Sequence, residues 1–304
     1  MNSSRDLSWP LSVCVAAGRI VVGLLRLFKW RVVMLLLLAA VTGAFLGAGG
    51  WPGSEAVVVL LLAGGLAAAG ASVVNEYLEF DMDRIMQRTR RRPLVTGAIV
   101  RSPWVLALGV ALIVLPVLAV LPRNPALALW VILGAIVYVG VYTVWLKSRT
   151  PLNVVVGGLA GSCAVLSGGA AVHAWAHPAV SGLALLLFLW SPTHFWSLAL
   201  ACRGDYARAN VPMLPVVTSP RRAAQWNLLH AAGSVIIGLL LAVRPELGLW
   251  YLAPVAIAGL YLLAHGLRLV EQSSARRAWQ MFHAANLYLG VVLLAICLTT
   301  YFHV

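Results

Sequence analysis

The sequence predicts an all-α fold: a polytopic membrane helical bundle of about nine transmembrane helices. Three observations lead there. Of the 304 residues, 62% are hydrophobic and only 10% are charged, more apolar surface than one water-soluble core can hide. The apolar residues gather into runs near the roughly 20 residues that a helix needs to cross a bilayer. The basic residues fall almost wholly into alternate connections between those runs.

The chain begins with a leader, residues 1–31, that carries Arg5, Arg19, Arg26, Lys29 and Arg31 around a weak apolar patch at 11–17. It has neither the long apolar core nor the small-residue cleavage site of a signal peptide, so it reads as a cytoplasmic amphipathic segment. Spans are expected at 32–50, 56–78, 103–122, 125–146, 153–172, 178–202, 223–243, 248–268 and 281–303. Pro103, Pro125 and Pro178 stand at helix starts, where a missing N–H costs little, and Pro93, Pro151, Pro212 and Pro215 fall in connections. Twenty basic residues lie in the leader and the even-numbered connections, against only Arg123 and Arg244 in the odd ones. The positive-inside rule then places the N-terminus in the cytoplasm and the C-terminus outside, and the membrane is expected to be a bacterial plasma (inner) membrane. Residues 1–304 are expected to form one domain. The net charge of +13 is thus spent on a lipid bilayer and implies no nucleic acid partner. Cys14, Cys163, Cys202 and Cys297 show no paired spacing and are expected to be buried small hydrophobes.

Chemistry concentrates in the second connection. The stretch 75–97 holds Glu76, Glu79, Asp81 and Asp83, four of the nine acidic residues in the chain. Asn75, Glu79 and Asp83 recur every four residues, so on a helix they form one stripe about 12 Å long. Such oxygen ligands suit Mg²⁺, which takes a few carboxylates, waters and the oxygens of a substrate phosphate. Arg84, Arg88, Arg90, Arg91 and Arg92 follow and could clamp that phosphate by forked hydrogen bonds. An interfacial helix whose acids pair with its own arginines is the other reading of the same residues.

A second polar motif ends the sixth span, with Asp205 the only carboxylate of 191–217 and Arg203 and Arg208 beside it. On the expected topology it lies on the same side as the first motif, four spans later, as in a pseudo-repeat.

These segments resemble the UbiA superfamily of intramembrane prenyltransferases, and within it the branch that farnesylates haem. The first motif is met by Asn75, Glu79, Asp83, Met86, Arg88, Thr89, Arg92, Pro93 and Leu94, and a further segment by Lys147, Arg149, Thr150, Pro151 and Asn153. The second motif is met by 194–196, by Asp205 and Tyr206, and by 211–217, and the last helix by 278–289. Glu79 stands where Asp is usual, and Ala285 replaces a small hydroxyl residue. A single acid in the second motif favours haem over a quinone-precursor aromatic as acceptor.

The resemblance implies a UbiA-like bundle that takes farnesyl diphosphate as donor and haem B as acceptor, with Mg²⁺ as cofactor. It gives Asn75, Glu79, Asp83 and Asp205 to the metal, and Arg88, Arg92, Lys147, Arg149 and Arg203 to the diphosphate. His194 and Tyr142 become candidates for contact with haem, and a downstream haem A synthase becomes a candidate partner. Tyr77, Tyr138, Tyr142 and Trp145 could line the path of an allylic cation. The alternatives are a transferase with an aromatic acceptor and a non-enzymatic haem-binding membrane protein.

Overall fold

The computed structural model describes residues 22–302. Cys14, the 11–17 patch and the rest of the leader before Val22 lie outside the described residues, as do the last two positions. Among the described residues nine helices are long and apolar enough to cross a membrane. In chain order the elements are α1 (Trp30–Ala48), α2 (Ser54–Leu78), the short α3 (Phe80–Ile85) and α4 (Pro93–Thr96), α5 (Pro103–Val120), α6 (Pro125–Leu146) and α7 (Asn153–Ala171). Then come α8 (Pro178–Ala201), the short α9 (Arg203–Arg208) and α10 (Leu214–Val217), α11 (Pro220–Leu241), α12 (Gly248–Glu271) and α13 (Ala275–Phe302). The chain is a multi-pass membrane protein, and its nine long helices satisfy their backbone groups internally, as hydrocarbon demands.

The helices pack in a closed series, with α1 also packed across the bundle on α7. α1 packs on α2, α2 on α5, α5 on α6, α6 on α7 and α7 on α8; α8 then packs on α11 and α13, α11 on α12, α12 on α13, and α13 on α1. Small residues permit the close crossings. A Cβ on Gly109 of α5 would lie 2.8 Å from Val74 Cγ2 and 3.1 Å from the Gly70 carbonyl of α2. Polar groups in the interior find partners: Tyr251 donates to the Gly238 carbonyl at 2.7 Å, Tyr288 to that of Ser234 at 3.0 Å, and Trp190 Nε1 to that of Ala285 at 2.8 Å. Outward positions such as Leu115, Ile257 and Leu260 stay exposed, because their solvent is lipid.

The helix bounds differ from the apolar reading by a few residues, the end of α12 falling at Glu271 rather than 268, and most instructively at two starts. α11 begins at Pro220 rather than 223, and α13 at Ala275 rather than 281, taking Arg276, Arg277 and Gln280 into its first turns. Hydropathy stops at such residues, but long basic side chains extend past the apolar zone while their backbone stays helical. Of the cysteines, Cys163 is buried, whereas Cys202 and Cys297 are only half-buried; Cys202 caps the end of α8 instead of lying within it.

Candidate active site

The acidic stripe survives a break in its helix. α2 ends at Leu78, Glu79 turns at φ −86°, ψ 8°, and α3 resumes at once. The Glu79 amide still donates to the Asn75 carbonyl at 2.9 Å and the Asp83 amide to that of Glu79 at 2.8 Å, so the four-residue register is kept. Asn75, Glu79 and Asp83 are buried, at 2%, 5% and 2% exposure. Asp81, off that face, is exposed. Arg101 braces the break from outside, its guanidinium 4.7 Å from the ring centres of both Tyr77 and Phe80.

The chain then turns back on the stripe. Thr89 donates to the Asp83 carbonyl at 3.2 Å, and Arg92, just ahead of α4, pairs with Asp83, with Glu79 at 3.4 Å and with Glu76 at 3.9 Å. Glu76 is the site residue that the four-residue stripe leaves out. It is 1% exposed and its Oε2 has no hydrogen-bond partner. Its spacing of three from Glu79 and seven from Asp83 is the signal that could have found it.

α6 supplies the opposite wall through an unusual geometry. From Ile136 to Leu146 it is a π-helix, rare in general and frequent at functional sites. Nine residues separate Tyr138 from Lys147. At the ~100° per residue of an α-helix they would point to opposite sides, but at about 4.4 residues per π-turn they share one face. Lys147 thereby pairs with Glu79, while Tyr138 stands 3.3 Å from Lys29 Nζ. Thr143 donates to the Tyr138 carbonyl at 2.8 Å and accepts from Asn75 Nδ2 at 3.0 Å. Buried Asn153 donates to the Lys147 carbonyl at 3.1 Å, fixing the turn that follows.

The second motif meets the first directly. Asp205, in α9, accepts the Arg88 backbone N–H at 3.2 Å and pairs with Arg208, and Arg88 Nη2 reaches the Tyr206 hydroxyl at 3.5 Å. Arg149 and Arg203 are not drawn in. Both are exposed, and neither side chain has a hydrogen bond or ion pair among the described residues. Arg149 falls in the turn after α6, and Arg203 lies two residues before Asp205, on the other side of a helix.

His194 is half-buried in α8, with its ring 4.7 Å from Trp190, 5.0 Å from Phe195 and 4.5 Å from Phe282, and its Nδ1 is buried without a partner. Tyr142 stacks on Tyr138 at 6.1 Å and 10°, and it packs in the same apolar cluster as Phe195 and Trp196. Of the other aromatic candidates, Tyr77 is taken by Arg101, and Trp145 is 56% exposed on the outside of the bundle.

The carboxylates are tuned differently. Burial would raise Glu79, but Lys147, Lys29 and Arg92 outweigh it and hold its carboxyl at about 2. Its charge is therefore present above its ordinary 4.5 and is lost only as pH falls through about 2. Burial wins at Asp83 and raises its carboxyl despite Arg92. Burial opposes the Arg92 charge too, but Asp83, Glu79 and Glu76 hold it above its ordinary value. Burial, then Arg92, lowers Lys29 to about 7 against the pull of Glu79 and Glu76.

No three acidic, histidine or cysteine side chains among the described residues converge into a closed metal cage. Mg²⁺ does not ask for one, since it binds through one or two carboxylates, waters and substrate phosphates. The donor set fits: a carboxamide oxygen at Asn75, carboxylates at Glu79 and Asp83, and an unpartnered carboxylate oxygen at Glu76 beside them.

Residues 36–297 match the model of the UbiA prenyltransferase family. The chain is 38% identical over 275 residues to a protoheme IX farnesyltransferase of Metallosphaera sedula, covering 90% of this chain and 94% of that one. It is 41% identical over 274 residues to protoheme IX farnesyltransferase 2 of Paramagnetospirillum magneticum, covering 90% and 95%. In fold it is similar to a digeranylgeranylglyceryl phosphate synthase, with TM-score 0.76 at 18% identity over 92% of this chain and 98% of that one. It is also similar to a UbiA homologue from Archaeoglobus fulgidus bound to DMAPP and Mg²⁺, with TM-score 0.62 at 18% identity over 90% and 98%.

Proposed function

The chain belongs to the UbiA prenyltransferase family, and from that premise we propose that it transfers a farnesyl group from farnesyl diphosphate to a vinyl group of haem B, giving haem O. The observation that carries the reading is the meeting of the two motifs: buried Asn75, Glu76, Glu79 and Asp83, ringed by Arg92 and Lys147, joined through Arg88 to Asp205. Support for donor and acceptor comes from the named activity of the relatives and from the single carboxylate of the second motif.

Asn75, Glu79 and Asp83, with Asp205 opposite, are the residues that would hold Mg²⁺. Bound there, the ion would neutralise diphosphate charge and make it a better leaving group. Arg92, Lys147 and Arg88 take up the negative charge that grows as the farnesyl C1–O bond breaks and its electron pair leaves with the diphosphate. The stacked rings of Tyr138 and Tyr142 offer π-faces to the allylic cation and exclude water from it. The haem vinyl group then bonds to C1, water adds to the resulting cation, and one proton is released. His194, whose Nδ1 lies without a partner among three aromatic rings, and Tyr142 are the residues assigned to haem contact in this reading.

Residues 1–304 are read as one domain in a bacterial inner membrane. The N-terminus and the connections 79–102 and 203–222 are cytoplasmic, the C-terminus is outside, and a haem A synthase consumes the product. The test is incubation of the purified protein with haem B, farnesyl diphosphate and Mg²⁺, read by mass. The expected result is a haem heavier by a farnesyl group plus a hydroxyl, since one proton leaves as water adds. Transfer to an aromatic acid instead, or a stable haem spectrum with no transfer, contradicts the reading.

A further inference from the structure

The site already contains a cation where a metal ligand stands. Lys29, immediately before α1, adopts the left-handed conformation (φ 51°, ψ 47°), which costs a non-glycine residue about 1 kcal/mol and persists only where surroundings impose it. They do so here: Leu27, 1% exposed, packs with Val73 and Leu94, and Phe28 joins that cluster. The result places Lys29 Nζ on Asn75 Oδ1, 3.3 Å from the Tyr138 hydroxyl.

The orientation of the Asn75 amide follows from its neighbours. Thr143 gives its proton to the Tyr138 carbonyl, so its oxygen must accept from Asn75 Nδ2. Asn75 Oδ1, the only part of that side chain able to ligate a cation, is therefore the atom turned toward Lys29. Counted by formal charge, Lys29, which reaches the cluster through Asn75, makes three basic groups with Arg92 and Lys147 against the three carboxyl groups of Glu76, Glu79 and Asp83. An ammonium and a divalent ion cannot both hold the Asn75 oxygen. The flexible four-carbon stem of lysine lets the ammonium swing away without moving α1, and the anion that arrives with the metal, a diphosphate of about three negative charges, is the partner that restores the balance.

Resting on the metal–diphosphate reading of the cluster, we propose that Lys29 competes with Mg²⁺ for the Asn75 carboxamide oxygen and, once displaced, pairs with the prenyl diphosphate. Lys29 thus holds the site in a closed, metal-free state and becomes a substrate contact in the loaded one. Its removal acts in opposite directions on the two ligands, which mere loss of structure would not do.

The experiment uses full-length protein in lipid nanodiscs, as parent, Lys29→Gln and Lys29→Arg. Mn²⁺ binding is followed by electron paramagnetic resonance without diphosphate, and binding of farnesyl thiodiphosphate, a slow analogue of the donor, is followed with Mg²⁺ present. Lys29→Gln is expected to bind Mn²⁺ roughly tenfold tighter and the analogue roughly tenfold more weakly, since one nearby positive charge is gone. Lys29→Arg, which keeps the charge, is expected to resemble the parent in both. Unchanged or weakened Mn²⁺ binding by Lys29→Gln, with the parent binding normally, overturns the competition. No Mn²⁺ binding by any of the three overturns the metal reading itself and the proposal with it.

Discussion

At the end of α2, three carboxylates are sunk among Arg92, Lys147 and Lys29, whereas beyond α8 a single carboxylate, Asp205, pairs with Arg208, whose side chain is 52% exposed. The two regions use the same chemistry at different depths. In the first, removing one partner strands a charge in a low-dielectric surrounding, at a cost of about 3–5 kcal/mol. In the second, the Asp205–Arg208 pair is worth about 0–1 kcal/mol. On the proposed roles, the first region couples stability to chemistry, while Asp205 would serve chemistry with little return in stability. Its hold on the Arg88 N–H, which docks the second connection on the sixth, is the more specific contact.

The sharpest way to break this comparison lies within the first region. Asp83→Asn is expected to reduce turnover at least roughly a hundredfold, because Asp83 is buried on the stripe and held by Arg92. Asp81→Asn, exposed and off the stripe, should stay near the parent. Equal losses in steady-state farnesyl transfer at matched expression would show that total charge, not the helical face, matters. Next in size is Lys147→Met, which leaves Glu79 with Arg92 at 3.4 Å. It should cost about 3 kcal/mol of stability, read as a lowered melting midpoint in detergent, and should raise the KM for farnesyl diphosphate. An unchanged midpoint would mean that the ion cluster is solvated.

How much of this was legible follows from which periods the sequence can show. Asn75, Glu79 and Asp83 could be read because the break at Glu79 preserves the α-helical hydrogen bonds on either side. Tyr138 and Lys147 could not be brought together, since an α-helical reading of α6 sets them on opposite faces and only the π-turns reunite them. No spacing relates Lys29 to Asn75, which meet only in the folded bundle. Arg149 and Arg203 illustrate the reverse: motif neighbours that the local turns leave outside. The smallest expected effect is theirs. Arg149→Gln and Arg203→Gln should each change KM for the diphosphate by less than about threefold, and a rise of more than tenfold in either would show that these arginines swing in during turnover.

In the proposed mechanism the two regions hold one metal–diphosphate between them, which a Mg²⁺ titration of farnesyl transfer in the parent, Glu79→Gln and Asp205→Asn reads out. Neutralising either carboxylate removes a charge that Mg²⁺ binding relies on, so both variants should require roughly tenfold more Mg²⁺ for half-maximal rate, while Glu79→Asp keeps a metal-dependent activity. If Glu79→Gln and Asp205→Asn both retain the rate and Mg²⁺ dependence of the parent, the two clusters are interfacial ion pairs and hold no metal–diphosphate.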